Sequence, residues 1–232
     1  MANPAQILHG LFKKWGVDSS AARARGLETN DADKLRASIQ QLRFAALQLH
    51  CIEELLCSMR SNGIDTSKWE DPLDRWTKGL FLYPNGWGNT QQHSLDNRDI
   101  EMLSMLGDIL QYQVPTLKED GAKEVLEFIE RIEETISGQE VNQHLSRHFA
   151  NLFSHIRWCI NNFDLVGEFE LEKALQQLAA SVSLQVHQDE QEGSGTSKLR
   201  VFMDSWIQPF TVGALAGYTG NLLSSSTLAI TQ

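Results

Sequence analysis

Four side chains able to hold a metal or move a proton fall on one face of a single helical stretch: His144, His148 and His155, with Cys159 four beyond the last. At 100° per residue they point within about 60° of one another. Imidazole and thiolate suit zinc and copper, so the stripe is a candidate metal site. Its length argues against one. His144 to Cys159 covers roughly 22 Å of helix axis, and a single ion reaches only two adjacent members unless another helix adds ligands. The run from His144 to His148 also lacks the glutamate of a hydrolytic H-E-x-x-H site. The stripe is read as a half-buried flank beside Leu145, Leu152 and Ile156, and no metal or cofactor is expected.

Arg43 and His50 stand seven apart on one face of a long helical stretch. This pair resembles the R-x(4–6)-H motif of HEPN ribonucleases, helical bundles that dimerise to bring two such motifs together. The resemblance covers these two residues, and Phe44 stands where that family usually has a polar residue. What it implies is RNA cleavage, with His50 as general base on a ribose 2′-OH and Arg43 stabilising the phosphate. The acidic run over 119–137, with Glu119, Asp120, Glu124, Glu127, Glu130, Glu133 and Glu134 against Lys123 and Arg131, reads as a solvated face, with a docking surface for a basic partner as the alternative. The chain has no Glu-x-x-His pair of the kind that di-metal bundles use. Residues 85–90 contain two glycines without Gly-Lys-Ser/Thr, so they form no phosphate loop, and no G-x-S-x-G occurs. No enzyme class is supported.

The C-terminal end carries the third feature. After Asp204 the chain has no charged residue, and within 212–230 Gly213 and Gly217 make a small-x-x-x-small spacing that lets helices approach closely in a membrane. Its serines, threonines and Asn221 make it far less apolar than an ordinary anchor, and no basic cluster flanks it. The favoured expectation is packing or self-association through Trp206, Phe210, Gly213, Gly217, Leu222 and Leu223; the membrane-active alternative uses the same strip.

The elements that must position these residues are helices. Ile7, Leu8, Leu11, Phe12 and Trp15 mark a short amphipathic helix over 4–15 with Gly16 as its stop. The strongest pattern runs over 31–62, where Leu35, Ile39, Leu42, Ala46, Leu49, Leu56 and Met59 recur at three- and four-residue steps. Asp31 is its N-cap and Gly63 its stop, and about 30 residues make a rod roughly 45 Å long that must find partners. Residues 64–97 crowd Trp69, Trp76, Phe81, Tyr83 and Trp87 among prolines and glycines, and predict an ordered insert pinned by aromatics. Helical periodicity resumes over 96–112, 119–137, 142–163 and 168–184, and no strand pattern appears. Polar residues 187–198 read as a linker, 199–210 as an amphipathic helix and 211–232 as the uncharged tail.

Composition bounds what this assembly can do. The 232 residues carry a net charge of −10, which would repel a phosphate backbone and disfavours nucleic acid as a partner. Cys51, Cys57 and Cys159 are odd in number and lack C-x-x-C spacing, and the N-terminal stretch has no apolar run of signal-peptide length, so a cytoplasmic setting is expected. The expectation is an all-α bundle of about six to eight helices, one of them long. Residues 1–186 form its body, 187–198 the linker and 199–232 the C-terminal helix and tail. Functionally it reads as a non-enzymatic interaction or regulatory module, binding a protein partner or a second copy. A membrane-active effector and a HEPN-like ribonuclease are the alternatives.

Overall fold

Several helices of the chain begin where a side chain satisfies their first free N–H groups. The computed structural model describes residues 3–16, 20–82, 86–88, 95–117, 120–137 and 143–191, and every regular element among them is helical. Helix α1, Pro4–Trp15, starts from Asn3, whose Oδ1 accepts from the N–H groups of Ala5 and Gln6 while Gln6 Oε1 accepts from the Asn3 N–H. Pro4 at the first position has no N–H to leave unpaired. The short α2, Ala21–Ala24, is capped by Ser20, and the long α3, Ala32–Ser61, by Asp31, which accepts from Asp33 and Lys34. After a 3-10 turn over Ser67–Trp69 come α4, Glu70–Phe81, and α5, Asn97–Leu110, where Asp96 and Asp99 form a reciprocal cap. Three more follow: α6, Gly121–Ser137, α7, Gln143–Asn161, and α8, Phe163–Gln191.

The described residues form two compact units. The first draws on Met1–Val114 and Asp164–Phe169, the second on Pro115–Phe163 and Glu170–Gln232. In the first unit α1 packs on both α3 and α5, and α4 on α3 and α5. Leu8, Ile52, Leu55, Trp76, Leu80, Leu103, Leu106 and Leu110 are among its largest fully enclosed side chains. Trp76 donates its indole N–H to the Asp99 carbonyl at 2.8 Å, and Arg75 on the same helix bonds the Asp99 carboxylate. The second unit encloses Val125, Ile129 and Ile132 of α6, Phe149 and Ile156 of α7, and Leu171, Leu178 and Val182 of α8.

Two places depart from simple helical patterning. Leu35 and Ile39 were expected inward with the rest of the α3 stripe, yet burial on α3 begins only at Phe44. Ile39 is 40% exposed and Leu35 half-buried, because the first three turns of α3 run past the core that holds the rest. The second departure is at Gly167, where φ 80° and ψ −179° break α8 into two segments. Only glycine takes that conformation without strain. Among the described residues no helix is long and apolar enough to cross a membrane. Residues 192–232, with most of the linker, the C-terminal helix and the tail, lie outside the described residues, as do Tyr83, Pro84 and Asn85 of the aromatic-rich stretch.

Candidate functional site

The outward face of α3 carries the first candidate pair. Arg43 and His50 are both exposed there, about two turns apart, and Phe44 between them is buried in the core. His50 stands beside two carboxylates of its own helix, with Nδ1 4.0 Å from Glu53 and Nε2 3.7 Å from Glu54. Those carboxylates would repel a phosphate approaching the imidazole, and a ring nitrogen turned toward Glu54 is drawn away from a substrate hydroxyl. The face thus carries both residues of the HEPN-like spacing, in an electrostatic setting that opposes a phosphate.

On α7 the four candidates separate. His144 is exposed near the start of the helix, and His148 bonds Ser181 of α8 through Nε2 at 2.9 Å. His155 and Cys159 come together farther along, with Nε2 3.9 Å from Sγ and 3.5 Å from Glu170 Oε1 on α8. Cysteine, histidine and glutamate in contact would suit a nucleophile, its base and an orienting acid, but such a triad needs the acid on the second ring nitrogen. Here both neighbours meet the same one. Cys159 is fully buried, and burial first, then the Glu170 carboxylate, pushes its thiol up to about 12, far from a reactive thiolate. His155 stacks on Trp158 with centroids 5.7 Å apart, and Glu170 also pairs with Lys173 at 3.3 Å. Among the described residues no group of three or more His, Cys, Asp or Glu side chains converges as a metal would need.

The acidic face of α6 divides by role. Glu124, Glu130 and Glu134 are exposed, whereas Glu133 receives two bonds from the Arg157 guanidinium of α7, one of them at 2.9 Å. That hydrogen bond holds the Glu133 carboxyl below its ordinary range and raises the Arg157 guanidinium. The pair clamps α6 to α7.

Two arrangements had no counterpart in the sequence reading. Arg25 is buried, with its guanidinium 4.8 Å from the Trp15 ring and 5.5 Å from the Trp87 ring, and donates to the carbonyls of Ala21 and Gly79. One cation thus ties α1, α2, α4 and the 86–88 turn through cation–π and carbonyl contacts. Nothing local in the sequence signals it, since its two rings are far apart along the chain. The other is a row of buried acids, Glu168, Glu170 and Glu172. Its signal was present: acids at i, i+2 and i+4 cannot all share one solvated helix face. Trp206, Phe210, Gly213, Gly217, Leu222 and Leu223 lie outside the described residues. Comparison with known proteins finds no matching family model, no matching curated protein and no matching solved structure.

Proposed function

We propose that this chain is a helical interaction module without catalytic activity of its own, and that it associates with a second copy through the projecting start of α3. The carrying observation is exposed Ile39 beside half-buried Leu35 at the start of α3, ahead of Phe44 where full burial of that helix begins. A short helical segment gains little from its own hydrogen bonds in water and is held chiefly by packing of an apolar face. Its polar partners include a capping aspartate and surface pairs such as Arg36 with Asp33 at 3.2 Å, which are worth little. A second helix laid along Leu35 and Ile39 supplies the missing cover. The uncharged C-terminal sequence, with Trp206, Phe210, Leu222 and Leu223, belongs to the same reading.

Sedimentation velocity of the full chain tests this. The wild type is expected to associate with rising concentration, and Ile39→Glu to weaken that association at least tenfold with an unchanged helical spectrum. Equal sedimentation of both proteins as monomers overturns it. A second reading has one observation in its favour, the common exposed face of Arg43 and His50. An RNA cleavage assay comparing wild type with His50→Ala decides it, since loss of activity supports a ribonuclease and equal rates remove it.

A further inference from the structure

The face of α3 turned to solvent sorts its charges by sign. Ile39, Arg43, His50 and Cys57 are all exposed. At 100° per residue they fall within about 40° of one another. Arg43 stands in the first half of this stripe and enters no ion pair among the described residues. Glu53 and Glu54 stand in the second half, on either side of the same seam, next to His50. A helix face of this kind is complementary to itself when reversed. Two copies of α3 laid antiparallel about residue 48 bring together positions whose numbers sum to 96 or 97. Arg43 then faces Glu54 of the second copy, and two-fold symmetry repeats the pair about 16 Å along the axis. Ile39 meets Cys57 at each end of a contact roughly 27 Å long. Half-buried Ala46 near the centre leaves room for the His50 ring.

We propose that two copies of this chain pair antiparallel along the outward face of α3, with Arg43 of each against Glu54 of the other. This rests on the self-association proposed above and adds its direction and register. A parallel pair would set Arg43 on Arg43 and Glu54 on Glu54, which like charges oppose. A partner of another kind would need acidic groups toward the start of α3 and basic groups toward its end, and α3 itself, reversed, already has that pattern. Exposed ion pairs add little affinity, whereas complementary charges fix orientation. Ile39 against Cys57 therefore supplies attraction, and Arg43 against Glu54 supplies alignment.

Cysteine cross-linking of the full chain tests the direction. Cys51 and Cys159 are buried, which leaves Cys57 as the exposed thiol. In the antiparallel pair the two Cys57 residues lie roughly 27 Å apart, far beyond disulfide reach. Copper phenanthroline is applied at a concentration where the wild type sediments as a dimer. The wild type is expected to stay unlinked and Ile39→Cys to form a disulfide dimer, which adding Cys57→Ser abolishes. A linked wild type reports a parallel pair and overturns the proposal, as does an unlinked Ile39→Cys. Charge exchange gives a second readout by sedimentation. Arg43→Glu is expected to weaken the dimer about tenfold, and adding Glu54→Arg to bring it back within about threefold of wild type. Adding Glu101→Arg, the same charge change on the exposed surface of α5, is expected not to restore it. Recovery with neither change, or equally with both, overturns the pairing and leaves self-association through Ile39 standing. A wild type that stays monomeric at every concentration overturns both.

Discussion

Glu172 is a carboxyl group kept from water, 6% exposed, with the Gln176 side-chain amide donating to its Oε1 at 3.1 Å. Burial raises it from 4.5 to about 7. Below the lower value both folded and unfolded chains hold the proton, and the group has no effect on stability. As pH rises between the two values, the unfolded chain ionises first and stability falls; above the upper one the loss is complete. Glu172→Gln keeps the acceptor for Gln176 and removes the titration. The variant should therefore gain on the wild type by on the order of 3 kcal/mol between about pH 4 and pH 8, read from urea midpoints. Identical pH profiles would mean that the folded protein solvates this carboxylate. Glu133 has the opposite sign, since Arg157 lowers its carboxyl: its contribution is present at neutral pH and lost as acid protonates it. Partial exposure of both partners keeps that contribution small. The sequence alone offered His144, His148, His155 and Cys159 as a stripe, and spacing correctly placed them on one helix. It could not foresee that Glu170 meets the same nitrogen of His155 as Cys159 does, because that depends on how α8 crosses α7.

Helix starts were legible because capping is local chemistry. Asp31 before α3 and Asp96 before α5 stand next to the first periodic residues, and each accepts backbone N–H bonds in the structure. Stops followed the same logic, with Gly16 and Gly63 at positive φ just past α1 and α3. The break between the helices predicted over 142–163 and 168–184 was also legible, although the chain resumes helical geometry at Phe163 and breaks at Gly167. What periodicity could not supply is which part of a regular stripe finds cover. Leu35, Ile39 and Leu49 look equivalent in sequence, yet only Leu49 is buried, because α1 packs along the later turns of α3. Tyr112 likewise continues the α5 pattern by spacing and is 82% exposed, since α5 ends at Leu110 and the chain turns. Apolar spacing reports a preference for cover, and the lengths of the neighbouring elements decide where it is met.

At the scale of the whole molecule, the all-α class follows from 3.6-residue periodicity that never gives way to alternation, and the described helices agree with it. The division into two units was not legible, because the chain leaves the first near Val114 and contributes Asp164–Phe169 to it again, a return that no composition change marks. The net charge of −10 keeps copies apart at long range, so any self-association must come from apolar contact at short range. The proposed interface uses exposed Ile39, and the sequence from residue 205 onward, free of charge, is the other candidate for such contact. If both serve one interface, ending the chain at Gln188 should weaken self-association at least tenfold while the helical spectrum per residue changes little. Added salt should strengthen association of the intact chain by screening the like charges. The same pair of proteins separates the membrane alternative. Vesicles of phosphatidylcholine loaded with a self-quenched dye are expected to stay sealed with either one, whereas release by the intact chain alone would assign the tail to bilayers and leave α3 as the sole self-contact.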